Sequence, residues 1–217
     1  MIKAVLLDLD GTLADTAPDL AYALNQVLIQ NNRKPLPLSD IREVASHGSA
    51  PLIYLGFGDQ LEEQIFEAHR QQLLNIYSEN IARETTLMGG MEDLLLHLDR
   101  QNIPWGVVTN KPARFTDPLI EQLGLSQRAS CIISGDTTDS SKPHPKPLLH
   151  ACELLNLSPE QCIYVGDASR DIEAGNRAEM TTIAARFGYL SSDDKITEWC
   201  ADGIIDHPSE ILNWLSQ

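Results

Sequence analysis

Two aspartates one residue apart, Asp8 and Asp10, close an apolar run that begins at Val5 and turns at Gly11-Thr12. Residues i and i+2 of a strand share a face, so the two carboxylates can converge where the strand ends. Close carboxylates need a shared proton or a cation to coexist. Mg²⁺, which takes oxygen ligands and often only one or two carboxylates plus a phosphate, meets that need. A polar turn after a strand accounts for Asp-x-Asp equally well, so the partners must decide. Three later stretches supply them: Thr109-Asn110-Lys111 at the end of a second apolar run, Lys142-Pro143 before a helix, and Gly166-Asp167 with Asp171 four residues on. An aspartate can be a covalent nucleophile toward phosphorus. Asp8, nearer the rigid strand, is the better nucleophile. Asp10 is then the group to protonate a leaving oxygen and later activate water. Mg²⁺ held by Asp8, the Asp10 carbonyl oxygen and Asp167 would let one anion attack another. Thr109 offers a hydroxyl and Asn110 a backbone N–H to phosphoryl oxygens, while Lys142 brings positive charge. Asp171 either complements a helix dipole or orients the metal shell or Lys142.

The elements that must position these residues follow from periodicity. After the first strand, Thr16, Pro18 and Asp19 signal a helix start, and Leu20, Leu24, Val27 and Leu28 recur at helical spacing. Ser39 can cap a short helix to about Ala45. Asp59 and Glu62 resemble a capping box ahead of a long helical pattern to Tyr77. No convincing buried strand falls between Asp15 and Arg83, which predicts a helical domain over 15–83 inserted into a core of 1–14 plus 84–217. Beyond Met88-Gly89-Gly90 the pattern changes. Apolar segments at Trp105 to Thr109, Cys131 to Ser134, Cys162 to Gly166, Thr181 to Ala185 and Gly203 to Ile205 alternate with helical stretches. That alternation predicts an α/β fold, a doubly wound, mostly parallel sheet covered on both faces, with its ligand site beyond the carboxyl ends of the strands.

Composition narrows the partners. A formal charge of -15 over 217 residues disfavours nucleic acid and anionic membranes as general partners. A small anionic ligand would need local Lys, backbone N–H groups or a metal. Cys131, Cys152, Cys162 and Cys200 show no metal-ligand spacing and read as reduced thiols. With no run of membrane-spanning length, a cytoplasmic protein is expected.

In order and residue type, Asp8-Leu9-Asp10-Gly11-Thr12-Leu13, Thr109-Asn110, Lys142-Pro143 and Gly166-Asp167 with Asp171 resemble the four motifs of the haloacid dehalogenase-like hydrolase superfamily. The resemblance implies a Rossmann-like core with an inserted helical cap and Mg²⁺-dependent phosphomonoester hydrolysis through an aspartyl-phosphate. It makes Asp8 the nucleophile, Asp10 the general acid/base, Thr109 and Lys142 phosphate ligands, and Asp8, Asp10 and Asp167 metal ligands. Ala168 departs from the Ser that many relatives carry. Within the superfamily the chain is similar to the phosphoglycolate phosphatase group. Trp105 to Pro112, Arg186-Phe187-Gly188-Tyr189 and Ala201 to Pro208 look closer to bacterial N-acetylmuramic acid 6-phosphate phosphatases of peptidoglycan recycling. A small phosphorylated metabolite is the implied substrate, 2-phosphoglycolate being the alternative to the sugar acid. The cap of such enzymes covers the leaving group, which points to Ser46 to Ser49, and above all His47 and Gly48, for specificity. A non-catalytic receiver-like phospho-acceptor also joins aspartates, Thr and Lys on a parallel sheet, but it carries no large inserted cap. A dehalogenase would not need Asp10 to protonate its halide, whereas a sugar phosphomutase would use the same groups.

Overall fold

The computed structural model describes residues 1–215. Six strands, β1 (Ala4–Leu7), β2 (Trp105–Val108), β3 (Cys131–Ile133), β4 (Cys162–Gly166), β5 (Thr181–Ala185) and β6 (Gly203–Ile205), form one parallel sheet. In these labels the spatial order is 3-2-1-4-5-6, a doubly wound sheet as the alternating pattern predicts and of the Rossmann kind that the resemblance implies. Every residue of β1, β2 and β4 is buried, as a parallel sheet covered on both faces requires. The register pairs Leu7 with both Val107 and Val165, so the chain leaves β1, β2 and β4 at nearly one level. Tyr164, Leu6, Val108 and Ile133 pack on one another with Leu148 and Ala151 of a covering helix.

The chain divides into two compact units, Met1–Ala14 with Leu87–Gln217, and Asp15–Thr86. The second contains four helices, α1 (Ala17–Gln30), α2 (Leu38–Ala45), α3 (Ser49–Phe57) and α4 (Glu63–Glu79). The first carries α5 (Met91–Arg100), α6 (Ala113–Gln122), α7 (Lys146–Leu155), α8 (Ser169–Arg177) and α9 (Leu212–Leu215) among the described residues. Two-residue strands, Ala14–Asp15 and Thr86–Leu87, make a separate small sheet. Among the described residues no helix is long and apolar enough to cross a membrane.

Two local expectations are corrected, and one helix was not foreseen. Helix α2 starts at Leu38 after an extended Pro37, which places Ser39 inside the first turn. Helix α4 starts at Glu63, leaving Glu62 as its extended N-cap rather than the third residue of a capping box begun by Asp59. Helix α3 had no helical signal, because Ser-Ala-Pro-Leu-Ile-Tyr-Leu-Gly-Phe is apolar almost throughout and shows no 3.6-residue alternation. Helix α6 ends ahead of Gly124, which adopts φ +70°.

Asp19 does more than favour the start of α1. Fully buried, its carboxylate accepts bonds from the Glu84 N–H (3.0 Å), the Thr85 N–H (2.9 Å) and the Thr85 hydroxyl (2.7 Å). It thereby ties the first turn of the helical unit to the segment that ends it. Asp19→Ala leaves three donors without their acceptor and is expected to destabilise this unit by about 3 kcal/mol in urea unfolding. A cost under about 0.5 kcal/mol would remove the anchoring role.

Candidate active site

The rim of the sheet collects the chemistry. Asp8, Thr109 and Asp167 each stand one residue beyond the end of a strand, β1, β2 and β4 respectively. The chain is still in register there, since the Asp8 N–H reaches the Val165 carbonyl at 2.9 Å and the Thr109 N–H reaches Ile133 at 2.9 Å. Strands β1 and β4 are neighbours from which the chain order runs off in opposite directions. A crevice opens at such a switch point.

Lys142, although 3% exposed, places its ammonium 2.9 Å from Asp8 Oδ1 and 2.7 Å from Asp171 Oδ1. Burial works against that charge, but Asp171 and Asp8 outweigh it and hold the lysine pKa above its ordinary value. Tyr164 Oη lies 2.6 Å from the same ammonium and the Val108 carbonyl 2.9 Å away, so three protons face four acceptors. The tyrosine hydroxyl resolves the surplus by donating to Val108 at 2.8 Å. The Asn110 side chain fixes the lysine main chain from both sides, donating to its carbonyl and accepting its N–H, each at 2.9 Å. The amide of Asn110 is thus committed to Lys142, and its expected phosphate contact is left to the backbone N–H. The Thr109 hydroxyl accepts the Lys111 N–H at 3.1 Å.

Carboxylate oxygens of Asp8, Asp167 and Asp171 lie within 4.8 Å of one another, all three residues buried. Burial, then the charges of Asp8 and Asp171, push the Asp167 carboxyl up from 3.8 to about 7. Two bonds oppose that rise, from the Tyr189 N–H at 2.8 Å and the Thr12 hydroxyl at 3.1 Å. The loop that brings Tyr189 can approach only because residue 188 is glycine. A Cβ there would sit 2.2 Å from Asp167 Cβ. Gly11, at φ +81°, borders the same carboxylate, and a Cβ there would sit 2.2 Å from its Oδ2. Asp171 performs both duties considered for it: one oxygen pairs with Lys142, and the other accepts the Ala168 N–H at 3.0 Å in the first turn of α8. Position 168 therefore serves through its main chain.

The Asp10 carboxylate stands apart from that cluster. It pairs with Lys111 Nζ at 2.7 Å, the two side chains 14% and 8% exposed. Lys111, Tyr164, Gly188 and Tyr189 are site residues that sequence reasoning left without roles, although all four fall inside stretches it singled out. Arg170 is a further one, with Asp171, Asp8 and Asp167 raising its pKa against burial. His47 and Gly48 lie in the helical unit, exposed in the turn between α2 and α3, where Gly48 adopts φ +91°.

The comparison with known proteins accords with this geometry. A family model described as haloacid dehalogenase-like hydrolase matches residues 5–185. The chain belongs to the haloacid dehalogenase-like hydrolases. It is 41% identical over 210 residues to an N-acetylmuramic acid 6-phosphate phosphatase of Pseudomonas putida, covering 97% of this chain and 94% of that one. A phosphoglycolate phosphatase of Xanthomonas campestris pv. campestris is 37% identical over 209 residues, covering 96% and 94%. Among solved structures, one described as a predicted phosphoglycolate phosphatase from Haemophilus somnus superposes with a TM-score of 0.87 at 28% identity, covering 100% of this chain and 98% of that one. This haloacid dehalogenase-like hydrolase is accordingly a phosphoric monoester hydrolase, and the receiver-like alternative falls away.

The donor set suits a hard divalent cation, since it consists of carboxylate oxygens alone. Around the rim four carboxylates, Asp8, Asp10, Asp167 and Asp171, face the cations Lys111, Lys142 and Arg170. A phosphate dianion entering that balance calls for more positive charge. Because Asp167 holds its proton up to about pH 7, a cation must displace that proton at lower pH. Mg²⁺ affinity measured by calorimetry is expected to rise about tenfold per pH unit up to about pH 7 and then level off. Gly188→Ala, which pushes Asp167 aside, should weaken Mg²⁺ about 10- to 100-fold with an unchanged circular-dichroism spectrum. A pH-independent affinity that the variant leaves intact would remove Asp167 from the metal site.

Proposed function

We propose that the chain hydrolyses a small sugar-acid phosphate, N-acetylmuramic acid 6-phosphate, through a phosphoryl group carried on Asp8. The observation that carries the chemistry is the placement of Asp8 Oδ1 2.9 Å from a buried lysine and beside the carboxylates of Asp167 and Asp171. An Asp8 oxygen forms a bond to phosphorus as the ester P–O bond breaks, and Asp10 gives its proton to the departing alkoxide. Water then attacks phosphorus, passes a proton to Asp10, and leaves Asp8 free with inorganic phosphate as product. Thr109, the Asn110 N–H and Lys142 bind the phosphoryl oxygens. Mg²⁺ would be held by Asp8, the Asp10 carbonyl and Asp167, and when bound it neutralises charge on phosphate and carboxylate.

The substrate rests on the relatives. Besides the Pseudomonas putida protein, an N-acetylmuramic acid 6-phosphate phosphatase from Pseudomonas aeruginosa is 38% identical over the whole chain. The phosphoglycolate phosphatases lie close behind, which keeps 2-phosphoglycolate as the second reading. Both compounds join a phosphate monoester to a carboxylate. The first unit acts as catalytic core and the helical unit as cap, with His47 and Gly48 meeting the leaving group.

Phosphate release from both compounds, measured side by side with Mg²⁺ and with EDTA, tests the assignment. At least tenfold higher kcat/KM is expected for N-acetylmuramic acid 6-phosphate, and the reverse order assigns phosphoglycolate. Asp8→Asn should lower turnover by about 10³-fold or more, and metal-independent rates equal in both proteins would end the reading. Free sugar rather than an isomeric sugar phosphate must appear as product, or the enzyme is a mutase. His47→Ala should lower kcat/KM for the preferred substrate about tenfold, and an unchanged value removes that residue from recognition.

A further inference from the structure

We infer that Lys111 is the positioning residue of Asp10, a strut that aims the proton-transferring carboxylate at the leaving oxygen. The inference rests on the phosphatase reading above and deepens it. Asp10 sits where the chain has left β1 and is turning, in a bend closed by Gly11 at φ +81° with its N–H on the Ala14 carbonyl at 2.9 Å. A short side chain on such a turn has freedom that Asp8, at the strand end, lacks. Lys111 removes it. The main chain of that lysine is held at both of its polar groups. Its N–H bonds Thr109 Oγ1 at 3.1 Å, and its carbonyl accepts the Gly135 N–H at 2.8 Å and the Thr116 hydroxyl at 3.0 Å. The stem of Lys111 then spans to Asp10 Oδ1 at 2.7 Å. With 8% and 14% exposure the pair is shielded from most solvent screening, unlike an ion pair on an open surface.

The two lysines of the rim therefore divide the aspartates. Lys142 takes Asp8 and Asp171, while Lys111 takes Asp10. The division matches the chemistry, because attack and proton transfer act on opposite sides of the phosphorus. When Asp8 bonds to phosphorus and the ester bond breaks, the proton on Asp10 must reach the departing oxygen as its charge develops. A misdirected Asp10 leaves attack possible but withholds that proton. The penalty then depends on how badly the leaving group needs it.

A leaving-group series reads this out. The probes are alkyl phosphates, whose alkoxides are poor leaving groups, and p-nitrophenyl phosphate, whose phenolate leaves unaided. Lys111→Met is expected to lower kcat/KM about 100-fold for the alkyl phosphates and no more than about threefold for p-nitrophenyl phosphate. Lys111→Arg, which keeps the cation, should recover the alkyl series to within about tenfold of wild type. In an Asp10→Asn background, Lys111→Met should add less than about twofold, because the group it positions is already gone. Equal losses across the series, or a full extra loss in the Asp10→Asn background, would overturn the inference and reduce Lys111 to a structural residue. Wild-type protein that releases no phosphate from any probe would instead overturn the phosphatase reading, so the two failures are told apart.

Discussion

The contact of Lys142 with Asp8 and Asp171, at 2.9 and 2.7 Å, is made with all three side chains almost out of water. Removing charges from water costs several kcal/mol per ion unless every oxygen and proton finds a partner. Here the partners are present: the Leu9 N–H on Asp8 at 2.7 Å, the Ala168 N–H on Asp171, and Tyr164 with the Val108 carbonyl around the ammonium. They come from the ends of β1 and β2, the middle of β4 and the start of α8, so the local geometry of these four elements is fixed by one requirement. A polar network of this kind rigidifies its surroundings, whereas one missing member would leave a buried charge exposed to its full desolvation cost.

Sheet topology explains why such a network can exist at all. In a 3-2-1-4-5-6 order, β1 is flanked by β2 and β4, and the connections from these strands diverge. Three chain exits thus lie side by side. The interior of the sheet is apolar, as the fully buried β1, β2 and β4 show. Charged side chains gather where these strands stop. The site is placed by that boundary as much as by its own interactions.

The strand-end residues were legible in the sequence because each follows an unmistakable apolar run. Asp8, Thr109 and Asp167 needed only a parallel sheet to bring them together, and the alternating pattern implied one. Lys142 was visible through residue type and order, not through any periodic signal. Pairing was not legible. Nothing in Thr109-Asn110-Lys111 distinguishes a lysine that reaches Asp10 from one left in solvent, since the spacing between them spans a whole domain of the sequence. The same holds for Tyr164, whose hydroxyl finds Lys142 from within a run that reads as plain β-strand, and for Gly188, whose missing side chain matters only because Asp167 is packed against it. Helix α3 escaped notice for a different reason: an apolar face without a polar counterpart has no period to detect.

Charge gives the last connection between sequence and site. A chain of formal charge -15 repels the phosphate it must bind, and a global field of that sign acts over about a Debye length, some 8 Å at physiological salt. Inside the rim a different balance holds. Lys111, Lys142 and Arg170 meet four carboxylates in a region of low exposure, where Coulomb interactions are stronger than at the surface. Three cations against four carboxylates leave no surplus of positive charge, so a divalent ion among Asp8, Asp167 and Asp171 would be what makes the rim the location where an anion is favoured. The acidity of the remaining surface then acts as selection, because anions bound elsewhere would gain nothing to offset the repulsion.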